Sequence, residues 1–111
     1  MSDYSLGTLE ETILIIVLMK EESYGVEIAK VYESHVGQSI SLPAIHVVLK
    51  RLEKKGLVKS AFGEPTPERG GKRKKFYQGT PTGYKVAKEM QERRSKMWSF
   101  VPNPSTNYGL I

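Results

Sequence analysis

Arg69-Gly70-Gly71-Lys72-Arg73-Lys74-Lys75-Phe76-Tyr77 carries five cations in its first seven residues, broken only by glycines, and ends in two aromatics suited to a strand. A hairpin tip of this composition can press its backbone against a polyanion, because glycine has no side-chain bulk and admits φ > 0. The lysines and arginines then replace counterions condensed on phosphates. Taken alone, the stretch reads equally as a solvated loop kept soluble by charge. The residues on either side decide between the two.

Leu57 to Phe62 and Arg73 to Gln78 read as two strands joined by a long polar loop that contains proline and glycine. Upstream the pattern is helical. Thr8-Leu9-Glu10-Glu11 fits a capping box, with the Thr8 hydroxyl and the Glu11 carboxylate satisfying orphan amides reciprocally. Leu9, Ile13, Ile16 and Val17 recur at helical spacing and predict a helix from about Gly7 to Lys20, although the run from Ile13 to Val17 also suits a strand. Ser23 is the next N-cap, and Ile28, Val31, Tyr32 and Val36 form one apolar side of a helix that Gly37 stops.

Ser41 caps a third helix that tolerates Pro43 in its first turn, where no intrahelical amide partner is needed. At about 100° per residue, Leu42, Ile45, Val48, Leu49 and Leu52 share one stripe. Pro43, Val47, Lys50 and Lys54 lie opposite, flanked by His46 and Arg51, and Gly56 ends the helix. Thr80-Pro81 opens a last helix reaching about Phe100, where Pro102-Asn103-Pro104 stops it. The order predicts a mainly α chain with a two-stranded β wing. That is a winged helix-turn-helix domain over residues 1–80, a C-terminal dimerisation helix over 81–101, and a tail, 102–111, expected to be disordered.

Charge is divided along the chain. Through Ile40 there are two basic residues against seven acidic; from Ser41 onward there are fifteen against five. Such asymmetry fits one end of a domain meeting nucleic acid. An acidic membrane surface would also attract it, but no segment is both strongly basic and strongly amphipathic. The longest apolar run, Ile13 to Met19, is too short to cross a bilayer. The first residues lack the basic start and small-residue cleavage site of a signal peptide, so a cytoplasmic location is expected.

Several phrases resemble the PadR family of bacterial transcription regulators. They are Leu6-Gly7-Thr8-Leu9-Glu10, Ser23-Tyr24-Gly25-Val26-Glu27-Ile28, and Leu49-Lys50-Arg51-Leu52-Glu53-Lys54-Lys55-Gly56-Leu57-Val58. The segment from Gly63 to Gly71, the lysines after it, and Phe76-Tyr77-Gln78 leading into Thr80-Pro81 and Gly83 resemble the wing of the family's short members. The resemblance covers roughly Leu6 to Met90 and implies a homodimer, usually a repressor of detoxification, efflux or stress genes, sometimes responsive to a small ligand. Two residues depart from it. His46 stands where the family usually has tyrosine, and Gly79 where it usually has leucine. The second departure forgoes about 1.5–3 kcal/mol of burial and predicts a looser wing root.

The DNA-facing set expected from this plan is Pro43, Ala44, His46, Val47, Lys50, Arg51 and Lys54 on the third helix. On the wing it is Arg69, Gly70, Gly71, Lys72, Arg73, Lys74 and Lys75. Val47 amid lysines suits a thymine methyl, while Arg51 alternatively pairs with Glu53 or another helix carboxylate. Exposed lysines on a helix also read as a merely solvated face. The partner is double-stranded DNA carrying an inverted-repeat operator, and the chain itself as a homodimer. On the last helix Val86, Met90, Arg93, Met97 and Phe100 form the expected subunit seam, with Met97 and Trp98 available to line a cavity for a small effector. No cofactor is expected. With no cysteine and only His35 and His46, on different helices, no metal site is expected either. A lone aspartate, Asp3, and the lack of a phosphate-binding glycine motif after a strand argue against an enzyme. The remaining alternative is a protein–protein adaptor of the same fold that binds acidic partners.

Overall fold

The computed structural model describes residues 6–65 and 73–104. Helix α1 spans Thr8–Leu18. Its β-branched run is helical because both sides of it meet the core: Ile13, Leu14, Ile16 and Val17 are all buried, a spacing that no alternating strand produces. The cap differs from the expected box by one residue. Gly7 is the N-cap, and its amide donates to Glu10 Oε1 at 3.3 Å. Glu11, displaced from that role, is itself buried.

Strand β1, Ser23–Tyr24, precedes helix α2, Gly25–Val36. Ser23 is therefore a strand residue, and Tyr24 is the cap, its amide donating to Glu27 Oε1 at 2.8 Å. Of the apolar side expected on α2, Ile28 is fully buried, Val31 and Tyr32 pack partly on the core, and Val36 is exposed. Gly37 ends α2 at φ 81°, a left-handed conformation that glycine adopts without a Cβ penalty. Helix α3, Leu42–Lys54, starts as expected, the Ser41 Oγ accepting from the Ala44 amide at 3.2 Å. Ile45, Val48, Leu49 and Leu52 are buried, but Leu42, at the stripe's end, is exposed.

Strands β2, Val58–Pro65, and β3, Arg73–Gly79, pair antiparallel. Their register runs from Val58↔Gly79 to Phe62↔Lys75 and then slips before Pro65↔Arg73. The wing is joined by a third strand that the sequence reading lacked. β1 pairs with β3 through Ser23↔Tyr77 and Tyr24↔Phe76, so β3 is central. Two residues bear no periodicity, which is why β1 was invisible as a strand.

Helix α4 spans Pro81–Ser99. One hydroxyl ties its start to the end of α3: Thr80 Oγ1 accepts from the Gly83 amide at 2.9 Å and donates to the Gly56 carbonyl at 2.7 Å. Gly83 lies so close to the Leu57 backbone that a Cβ there would collide with the Leu57 carbonyl oxygen. Within α4 only Gly83, Val86 and Ala87 are buried.

Gly79 does not leave the wing root loose. The space a side chain would take there is filled by Leu18, whose Cγ stands 3.2 Å from the position of a Cβ on residue 79. The burial expected from a leucine in the strand is supplied instead from the end of α1.

Candidate nucleic-acid interface

The buried stripe of α3 turns its other side to solvent, and Pro43, His46, Val47, Lys50, Arg51 and Lys54 are all exposed. Ala44 is half-buried beneath the cap. Arg51 does not pair with Glu53, whose carboxylate accepts from the Ser60 hydroxyl at 2.7 Å. The positive charge of Arg51 instead falls on Glu10, which Lys55 binds at 2.9 Å. The Lys55 hydrogen bond, outweighing burial, holds the Glu10 carboxyl below the usual carboxylate range. The exposed cations of α3 are thus Lys50, Arg51 and Lys54, with Lys55 committed to α1.

The pleat of β3 sends its cations to two faces. Arg73 and Lys75 share a face with Phe62, lying 5.0 and 5.7 Å from that ring's centroid, and with buried Tyr77. Lys74 takes the other face, 4.3 Å over the Tyr24 ring, which in turn lies 4.5 Å from the ring of Phe76. In these contacts the charged ends of the three side chains lie over aromatic faces, which holds them in place on the wing. Arg69, Gly70, Gly71 and Lys72 lie outside the described residues.

Between the wing and the start of α2 runs an open groove of about 540 Å³, lined on its sides by Tyr24, Gly25, His46, Lys74 and Lys75. His46 reaches it from α3, its Nδ1 lying 3.3 Å from the Tyr77 hydroxyl of β3. The groove therefore joins the first turns of α3, through Leu42 and His46, to the wing cations.

A family model, the transcriptional regulator PadR-like family, matches residues 13–89. The chain belongs to this family. A solved transcriptional regulator from Clostridium thermocellum is 31% identical to this PadR-like chain, with 83% of this chain and 92% of that one covered at a TM-score of 0.63. A PadR family transcriptional regulator from Eggerthella lenta is 27% identical, with 84% and 77% covered and a TM-score of 0.69. Bacillus subtilis PadR, solved in complex with operator DNA, shares the fold at a TM-score of 0.64 and 21% identity, with 88% of this chain and 51% of that chain covered. No curated protein matches the chain. The PadR-like family is one of transcriptional regulators and not of enzymes.

On α4 the expected seam divides. Val86 is buried in the core of its own domain, so it has no surface to give a partner. Met90 packs partly on the same core, Arg93 is exposed, and Met97, Trp98 and Phe100 are 65%, 72% and 72% exposed. Sequence reading missed Arg94. Its guanidinium clamps buried Glu11 with two hydrogen bonds, 2.6 and 3.0 Å, across 83 residues of chain. Nothing in the local pattern marks that pair, because periodicity places Glu11 among cap residues and Arg94 on a polar surface. Among the described residues no helix is long and apolar enough to cross a membrane, and no group of three His, Cys, Asp or Glu could hold a metal ion.

Proposed function

We propose that this chain is a homodimeric repressor that reads an inverted-repeat operator in double-stranded DNA. One observation supports this best: α3 exposes Pro43, His46, Val47, Lys50, Arg51 and Lys54 together, and its His46 lines one groove with Arg73, Lys74 and Lys75 of the wing. A helix entering the major groove needs such a face, and the wing cations supply phosphate affinity beside it. Arg69, Gly70, Gly71 and Lys72 extend the same basic wing in sequence.

The dimer forms along the exposed second half of α4, through Arg93, Met97 and Phe100 with a share of Met90. Unpartnered apolar side chains of this size on one helix end favour burial against a second copy. Residues 1–80 form the DNA-reading unit and 81–101 the dimerising helix. Met97 and Trp98 at the seam line a site for a small effector that releases the operator, and the regulated genes belong to stress, detoxification or efflux responses.

The test is selection of bound fragments from a random DNA pool. We expect enrichment of an inverted repeat whose half-sites lie one turn apart, about 34 Å. A chain that binds weakly and equally to all sequences is an adaptor, and the repressor reading falls.

A further inference from the structure

Tyr77 is buried, and a buried phenol needs a hydrogen-bond partner for its proton. Among the described residues the one partner of its hydroxyl is His46 Nδ1, at 3.3 Å. Glu53, whose charge acts on Tyr77, has a carboxylate oxygen engaged by the Ser60 hydroxyl. If Nδ1 carried a hydrogen, the phenol would accept it and its own proton would find no acceptor among the described residues. The need to place that proton favours a bond running from the Tyr77 O–H to Nδ1. Burial, and then the charge of Glu53, push the Tyr77 phenol upward from its ordinary pKa, so the hydroxyl keeps the proton it donates.

A neutral imidazole with a bare Nδ1 carries its hydrogen on Nε2. That edge of the ring runs along Gly25: a Cβ on residue 25 would stand 3.0 Å from His46 Cε1 and 3.3 Å from Nε2. Because residue 25 is glycine, the ring seats against it with no Cβ between them, and Nε2 has no hydrogen-bond partner among the described residues. The His46 ring is among the side chains that line the groove between the wing and α2.

We propose that Tyr77 is a positioning residue for operator recognition, holding His46 so that α3 presents one fixed donor, Nε2–H, to a hydrogen-bond acceptor on a purine edge. In the major groove those acceptors are N7 of either purine and O6 of guanine. The proposal rests on the DNA-reading role given above. It adds that a residue of the wing's central strand, itself out of reach of DNA, sets what α3 can accept. Tyrosine at position 46 would be able to donate or accept; the seated histidine donates only.

Two measurements test it. In the free protein in alkaline buffer, long-range proton–nitrogen correlation shows which ring nitrogen of His46 carries hydrogen, and the Overhauser contact between His46 Hε1 and the Gly25 α-protons reports the ring's seat. We expect Nε2–H and a clear contact in the wild type, and loss of the contact in Tyr77→Phe, which keeps the buried ring. A proton on Nδ1, or a contact that survives the substitution, overturns the proposal.

The second measurement compares base preferences selected by the wild type, His46→Ala, Tyr77→Phe, Gly25→Ala and the His46→Ala/Tyr77→Phe pair. All four variants should lose preference at the same symmetric position, His46→Ala by roughly 5- to 150-fold, with Tyr77→Phe adding nothing in the His46→Ala background. Replacing N7 by carbon in that purine should weaken the wild type and leave His46→Ala unchanged. Uniform weakening on all sequences would assign His46 to phosphate and overturn the proposal, as would additive effects in the double variant. A wild type that selects no sequence overturns the DNA-reading role itself, whereas a selective wild type whose variants keep its preferences overturns the positioning role alone.

Discussion

Gly79→Ala should destabilise this protein, although alanine in a strand ordinarily stabilises relative to glycine. Nothing in the backbone forbids the change, since among the described residues the glycines held at positive φ are Gly37 and Gly56. The obstacle is Leu18. Its Cδ2 overlaps the position of the new Cβ, and its Cγ and Cα stand 3.2 and 3.9 Å away. Removing glycine's freedom in the unfolded chain contributes about 0.4–1 kcal/mol, while overpacking a filled contact costs about 1–3 kcal/mol. The difference is a net loss of up to about 2.6 kcal/mol. Leu18→Ala alone should cost about 1–2 kcal/mol, less than the 2–5 kcal/mol of a fully buried leucine, because Leu18 is only partly buried. In that background the obstacle is gone, and Gly79→Ala should become neutral or stabilise by up to about 1 kcal/mol. The sign change corresponds to a coupling of about 1–3 kcal/mol, within the range for residues in contact. Urea unfolding of the four proteins, with equal slopes, measures it. If Gly79→Ala loses the same stability with and without Leu18, the packing account of this glycine is wrong.

Converting Lys74 and Lys75 together to alanine should weaken binding to every DNA sequence and flatten the salt dependence by up to about 0.9 log units per lost phosphate contact; an unchanged slope removes β3 from the interface. Met97→Glu should shift sedimentation toward monomer, since it sets like charges near the twofold, and a variant that stays dimeric refutes the α4 seam. Arg94→Met leaves the buried Glu11 carboxylate without its clamp and should cost about 1–3 kcal/mol, recovered in part by adding Glu11→Gln. No loss in urea unfolding would mean that water replaces the guanidinium. Glu10 is held below the usual carboxylate range mainly by Lys55, and Glu27 mainly by the Tyr24 amide and then by Lys20. Depressed folded values mean that this stability is present above the ordinary carboxylate pKa and lost as pH falls through the folded ones. Glu10→Gln/Glu27→Gln should therefore melt lower at neutral pH and lose less on acidification; an equal acid loss in both proteins contradicts the assignment.

Local rules carried much of this chain. Ser41 and Thr80 cap α3 and α4 as their sequence implies, and Gly37 and Gly56 take the positive φ that ends a helix. The stripe from Ile45 to Leu52 fixed which side of α3 faces outward, because a helix of that period has one way to bury it. Charge division and the glycine-broken basic run make a polyanion a candidate partner on sequence grounds. What the sequence left open depends on residues far apart in the chain meeting. Strand β1 exists because β3 offers it an edge, Glu11 is tolerated in the core because Arg94 arrives from α4, and Val86 belongs to the core because Gly83 lets α4 approach Leu57. Gly79 looked like a missing side chain until Leu18 was found in its place. The seat of His46 is likewise tertiary: a helix, a strand and a glycine at the start of another helix enclose one ring, and no periodicity along a single segment encodes that meeting.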